Sequence, residues 1–158
     1  MLDKSRVLFV CTGNIYRSRF AEALFNFHAR ALRLDWFASS RGLRTNPDHP
    51  ALSDHAREAL LARNITLHHT ANEPAALNEI DLENATITIA LKETEHLPMM
   101  LEKFPQWAGR IQYWQIHDIE DEPAAAALPK LEEQILHLLQ TLAEEQTLSF
   151  CATPASEF

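Results

Sequence analysis

Hydrophobic and polar positions fall along the chain in two alternating kinds of block, short continuous apolar runs and longer stretches at helical spacing. Val7-Leu8-Phe9-Val10 is an unbroken apolar run that ends at Cys11 and a Thr-Gly-Asn turn, the pattern of a strand buried on both faces. From Ser18 onward Phe20, Ala21, Leu24, Phe27, His28 and Ala31 recur at helical spacing, which predicts a first helix with Ser18 as its N-cap. Residues 36–39 read as a short second strand and 40–47 as a polar loop. A second helix is expected over 50–63, with Leu52, Ala56, Ala59 and Leu60 facing inward. Residues 64–74 read as a loop containing His68-His69, and 77–83 as an acidic helical turn. The β-branched run 86–90 predicts a third strand, 92–104 a helix that carries Pro98, and 111–116 a fourth strand. Leu128, Leu131, Ile135, Leu138 and Leu142 trace one face of a long C-terminal helix that Pro129 would begin.

Strands that alternate with helices imply an α/β fold, a four-stranded parallel sheet between two helical layers in a three-layer sandwich. The expected organisation is one domain over residues 1–146 followed by a flexible tail over 147–158. In such sheets ligands bind beyond the carboxyl ends of the strands, where the strand order reverses. Cys11 stands at that edge of the first strand.

Composition narrows the chemistry. The chain has only three glycines, Gly13, Gly42 and Gly109, so neither a Gly-x-Gly-x-x-Gly turn nor a Gly-x4-Gly-Lys loop can be written. Apolar runs of about five or six residues fall far short of the ~20 that a membrane helix requires, and the N-terminus has no secretory core, so a cytoplasmic protein without a membrane partner is expected. Cys11 and Cys151 are too far apart in sequence for a redox pair or a zinc knot. The histidines show no His-x3-His or His-Glu-x-x-His spacing, so no metal site or cofactor is expected. A net charge of -8 argues against a nucleic-acid partner. That average hides a split: up to Asn46 the chain carries +5 and beyond it -13, which suggests a local site for a small anion.

The segment Cys11-Thr12-Gly13-Asn14-Ile15-Tyr16-Arg17-Ser18 places a cysteine six residues before an arginine, between a strand and a helix. The residues between can wrap so that backbone N–H groups converge on one spot, while the helix adds about half a positive charge. A free thiol is mostly protonated at neutral pH, and such donors together with a guanidinium are what convert cysteine to thiolate. Arg17 offers a planar fork for two phosphoryl oxygens. Ser18 can donate a hydroxyl hydrogen bond to the sulfur. Gly13 and Asn14 are the residues best suited to the backbone such a wrap needs. The plainer alternative, a small buried core cysteine beside a surface arginine, is disfavoured by this context.

Residues 10–22, VCTGNIYRSRFAE, resemble the phosphate-binding loop of the low-molecular-weight protein tyrosine phosphatases, usually V-C-x-G-N-x-C-R-S-P-x-A-E. Ser40-Arg41-Gly42 is similar to that family's Ser-Ala-Gly, and the segment from Asn64-Ile65 to His68-His69 to its Gly-Ile…His. The resemblance extends over residues 5 to about 143 and implies the family's flavodoxin-like topology. It implies a metal-independent, cysteine-dependent phosphatase acting on phosphomonoesters, phosphotyrosine among them, through a cysteinyl-phosphate. Cys11 would be the nucleophile, residues Thr12, Gly13, Asn14, Ile15, Tyr16, Arg17 and Ser18 the phosphate cradle, and Asp118 the general acid, with Asp121 in reserve. Ser40, with Asn14, and a histidine, His69 or His68, would brace the loop. The implied partner is a phosphorylated protein or small molecule. Three departures stand out: Tyr16 replaces the second loop cysteine, so no disulfide can shield Cys11 from there; Arg19 replaces proline, adding a cation beside the pocket; and Ile119 replaces the proline after the acid, with no tyrosine following. Ile15, Leu43 and Arg44 are candidates for the pocket rim, and the three tryptophans for packing. Two other functions share these residues, arsenate reduction coupled to a small thiol and a non-catalytic phosphate-binding module.

Overall fold

The computed structural model describes residues 4–152, with side chains described through Phe150. Strand β1 (Ser5–Cys11) is followed by α1 (Arg17–Ala31), β2 (Trp36–Gly42), α2 (Asp54–Ala62), a 3-10 turn (Leu67–His69), α3 (Glu79–Asn84), β3 (Ile87–Ala90), α4 (Glu93–Lys103), β4 (Gln112–Tyr113) and α5 (Ala124–Ala152). The strands form one parallel sheet in the order β2-β1-β3-β4. Continuous apolar character puts β1 at the centre, because it is the strand with both faces to bury: Val7 through Cys11 are all buried. Its residues divide by parity. Val7, Phe9 and Cys11 join the core formed with α1, α2 and α5, while Leu8 and Val10 face α3 and α4. The chain passes from β1 to β2 on one side and returns to β3 on the other, so the order reverses at the carboxyl end of β1, where Cys11 pairs with Gly42.

Several element boundaries differ from expectation, each for a local reason. Helix α1 begins at Arg17, with Tyr16 at the N-cap and no side-chain cap bond, because the Ser18 hydroxyl is engaged elsewhere. Helix α2 starts only at Asp54, where Ser53 accepts from the Ala56 amide. Strand β2 continues to Gly42, so residues 40–42 belong to the sheet and not to a loop. Strand β4 shrinks to two residues, although the amides of Trp114 and Ile116 still bond the carbonyls of Ala90 and Leu91. Helix α5 starts at Ala124 on four consecutive alanines, and Pro129 lies in its second turn, where it forfeits one bond. Residues 147–152, expected as tail, are helical; 153–158 lie outside the described residues.

Candidate active site: the loop between the first strand and helix

The turn from Cys11 to Ser18 is shaped by what its carbonyls do. Those of Cys11 and Thr12 accept from the amides of Leu43 and Arg44, that of Ile15 from Ser53, and that of Tyr16 from Phe20. The Asn14 carbonyl accepts from Arg19 Nη1 at 3.4 Å. In a trans peptide the N–H opposes the C=O, so five outward carbonyls turn the amides of Thr12, Gly13, Ile15, Tyr16 and Arg17 toward the concave side. Asn14 turns the corner with φ 57°, the left-handed region. Gly13, expected to share that role, does not adopt positive φ. The glycine that the packing requires is Gly42, where a Cβ would meet the Thr12 carbonyl oxygen at 2.7 Å.

The Cys11 sulfur lies at the centre of this turn. The Asn14 amide points at Sγ from 3.3 Å, and Ser18 Oγ is 2.8 Å away. Asn14 Nδ2 donates to Ser18 Oγ at 2.8 Å, so the serine's own proton is available to the sulfur. On the β2 side Asn14 Nδ2 also donates to Ser40 Oγ (3.0 Å), and its Oδ1 accepts from the Ala75 amide (2.9 Å). Ser40 Oγ donates in turn to Glu22 Oε1 (3.0 Å), which also accepts from Thr70 Oγ1 and the Ala71 amide. Arg19 completes this cluster. It is 2% exposed, donates through Nε to Thr70 Oγ1 at 2.6 Å and through Nη2 to the Ala71 carbonyl, and lies 4.0 Å from Glu22. Burial raises the Glu22 carboxyl above its ordinary 4.5 and lowers Arg19 from its usual value, and their mutual attraction opposes both shifts.

On the β3 side a different set converges. Arg17, also 2% exposed, donates through Nη2 to Glu95 Oε2 (2.8 Å), and through Nη1 to Glu95 Oε1 (3.3 Å) and the Ile116 carbonyl (3.0 Å). Thr12 Oγ1 donates to Glu95 Oε2. His96 is fully buried; its Nδ1 accepts the Lys92 amide at 2.9 Å, and its Nε2 lies 3.1 Å from both Thr12 Oγ1 and Glu95 Oε2. Partial burial acts to raise Glu95, but the bonds from His96, Arg17 and Thr12 outweigh it and hold the carboxyl well below its ordinary 4.5. Burial holds His96 below 6.5.

A cavity of about 310 Å³ opens over the sulfur, lined by Cys11, Thr12, Gly13, Ile15, Tyr16, Arg17 and Asp118 together with Asn46, His49, Ser53, His55, Ile119 and Glu120. Asp118 Oδ2 is 3.7 Å from Arg17 Nη2. Tyr16 is buried, its hydroxyl has no partner among the described residues, and desolvation, reinforced by the charge of Asp118, pushes it up to about 12. A larger groove of about 1020 Å³ between the β4 edge and α5 contains no cysteine and none of the converging donors, which makes the smaller cavity the candidate site. The arrangement suits attack by a thiolate on a tetrahedral oxyanion held by inward amides and one arginine.

The low molecular weight phosphotyrosine protein phosphatase family model matches residues 6–148. The chain belongs to this family. It is similar to the protein-arginine-phosphatase of Bacillus subtilis (strain 168), 32% identical over 105 residues that cover 66% of this chain and 67% of the relative. A low molecular weight protein tyrosine phosphatase structure from T. tengcongensis superposes with TM-score 0.72 at 29% identity, covering 90% of this chain and 99% of that one. The YwlE arginine phosphatase, solved as a mutant with a phosphorylated active-site serine, superposes at 0.71 with 23% identity, covering 90% and 95%. The chain is thus a cysteine-based phosphatase of the low-molecular-weight class.

Most residues expected around the family's phosphate loop meet in space. Cys11, Thr12, Gly13, Ile15, Tyr16, Arg17 and Asp118 line one cavity, and Asn14, Ser18 and Ser40 lie directly behind it. Asp121 does not reach the cavity; it pairs with Lys92 Nζ at 2.9 Å, which holds it below its ordinary 3.8. His69 does not brace the loop. Its ring packs edge-on to Phe27 and against His68, and the brace passes instead through the neighbouring Thr70 and Ala71. Arg19 lies behind the loop and not beside the cavity, and Leu43 is buried in the α3–α4 core and not at the rim. Sequence reasoning missed Glu95 and His96. Their position was the available signal, since they follow β3 at the same sheet edge as Cys11. Among the described residues no group of three or more His, Cys, Asp or Glu could hold a metal, and no helix is long and apolar enough to cross a membrane. The Cys151 side chain lies outside the described residues.

Proposed function

We propose that the protein hydrolyses phosphomonoesters, aryl phosphates among them, in two displacements at Cys11. The observation that carries the reading is that Cys11 Sγ, contacted by the Asn14 amide and the Ser18 hydroxyl, shares one cavity with Arg17 and Asp118. In the first step the thiolate attacks phosphorus in line; the S–P bond forms and the bond to the leaving oxygen breaks. Inward amides and Arg17 hold the phosphoryl oxygens. Asp118 gives its proton to the departing oxygen. In the second step water attacks the cysteinyl-phosphate, Asp118 takes the water proton, the S–P bond breaks, and the thiolate leaves with the help of Ser18. The phosphorylated active-site serine described for the arginine phosphatase YwlE supports a covalent route at the corresponding place.

A second substrate reading has its own support. Two carboxylates, Asp118 and Glu120, line the cavity, no tyrosine follows Asp118, and a 32% identical relative is named for phosphoarginine chemistry. A cationic guanidino leaving group suits an acidic wall better than a phenol does. Turnover of para-nitrophenyl phosphate, a phosphotyrosine peptide and a phosphoarginine peptide by wild type, Cys11→Ser and Asp118→Asn decides the matter. We expect Cys11→Ser to be inactive and Asp118→Asn to lose ~10²- to 10⁴-fold on the aryl substrate. Undiminished activity in Cys11→Ser overturns the covalent mechanism. The ratio between the two peptides separates the substrate readings.

A further inference from the structure

We infer that Glu95 is a positioning residue for phosphoryl transfer, gripping one edge of the Arg17 guanidinium so that the adjacent fork faces the phosphoryl oxygens beside Cys11. The inference rests on the reading of Cys11 and Arg17 given under Proposed function. It follows from counting protons on Arg17, which has five N–H groups in one plane. Nη1 spends its two on Glu95 Oε1 and the Ile116 carbonyl, and Nη2 spends one on Glu95 Oε2. What remains is the Nε–H and the second Nη2–H, which lie side by side on the same edge. That pair is the fork that binds two oxygens of a phosphoryl group. Asp118 Oδ2, 3.7 Å from Nη2, shows that the free edge borders the cavity.

Glu95 is itself fixed. Thr12, next to the nucleophile, donates to it, and so can the buried His96 through Nε2. Because His96 Nδ1 accepts the Lys92 amide, the neutral ring must carry its proton on Nε2, the nitrogen facing Glu95 and Thr12. A line of bonds therefore runs from the Lys92 amide at the β3–α4 junction through His96 and Glu95 to Arg17. A carboxylate there could instead serve only as the counter-ion that lets a buried guanidinium fold. The two roles differ in what they couple to: positioning acts through the arginine's second edge, which lysine does not possess.

The test is a double-mutant cycle on para-nitrophenyl phosphate with wild type, Glu95→Gln, Arg17→Lys and the double variant, with urea midpoints for each. We expect Glu95→Gln to remain folded and to lose ~100-fold in kcat, with KM moving much less. In the Arg17→Lys background the same change is expected to alter kcat by no more than about twofold. Where Arg17→Lys turns over too slowly, the cycle is read from the inorganic phosphate concentration that protects Cys11 from iodoacetate. Full kcat in Glu95→Gln, or an equal loss in both backgrounds, overturns the inference. Wild type that fails to hydrolyse the ester would instead sink the proposed function, and the phosphate-protection cycle would still test the coupling of Glu95 to Arg17.

Discussion

The loop is held from two sides, and the two sides hold different things. Toward β2, Asn14, Ser40, Glu22, Thr70 and Arg19 hold backbone: they fix a left-handed residue and leave the amides of the turn facing inward. Toward β3, Thr12, Glu95 and His96 hold a side chain, the guanidinium of Arg17. The sides also respond oppositely to pH. Glu22 has its carboxyl raised by burial, so between its ordinary 4.5 and its higher folded value the native state binds the extra proton. This contribution therefore falls as pH rises through that window. Glu95 and His96 are both lowered, so their contributions are lost as pH falls, below 6.5 for His96 and below 4.5 for Glu95. The loop thus has one wall that weakens as pH rises above 4.5 and another that weakens as pH falls.

Removing the buried cation is expected to disturb this comparison most. Arg19→Met leaves the buried Glu22 without its counter-charge and should cost ~3–5 kcal/mol. The loss should grow with rising pH, because Glu22 is then pushed further up; urea midpoints measured from pH 5 to pH 8 check it. A loss that does not depend on pH would mean that Glu22 does not titrate with folding. Asn14→Ala removes three side-chain bonds and puts alanine at φ 57°, for an expected ~2–4 kcal/mol together with a large fall in turnover. If stability falls and turnover does not, the β2 side holds the fold and not the amides. Gly42→Ala forces a Cβ against the Thr12 carbonyl at 2.7 Å and should cost ~1–3 kcal/mol, read as a shift in thermal midpoint. The smallest effect sharpens the other wall. His96→Asn should flatten the loss of stability between pH 6.5 and 5, a slope of at most ~1.4 kcal/mol per pH unit in wild type. An unchanged slope would remove His96 from the acid-sensitive side.

These walls were unequally visible in the sequence. The β2 side was half legible: Asn14 and Ser40 could be named from the family's loop, but the third member could not. The expected histidine, His69, turns out to pack on Phe27, and the place is filled by Thr70 and by Arg19, which looked like a pocket cation. A threonine and an arginine at unremarkable spacings carry no signal until burial shows that they must be paired. Of the β3 side only Thr12 was named, as part of the phosphate cradle and not as a partner of Glu95. Glu95 and His96 sit in an ordinary acidic first turn of a helix, where carboxylates are common for reasons of the helix dipole alone.

The order of elements, the central strand and the cysteine-to-arginine loop were determined by local information, because apolar periodicity, a strand-to-helix junction and one short motif all lie within a few consecutive residues. Element ends and the partners that complete both braces, Thr70 and Arg19 on one side and Glu95 and His96 on the other, were decided only by the tertiary structure, which also puts Asp118, the sequence's first choice, at the cavity and pairs Asp121 with Lys92. The physical reason is desolvation. Whether a polar group is a surface charge or a buried partner depends on which segments close over it, and Thr12 meets Glu95, or Arg19 meets Thr70, only after parallel strands from distant parts of the chain have paired.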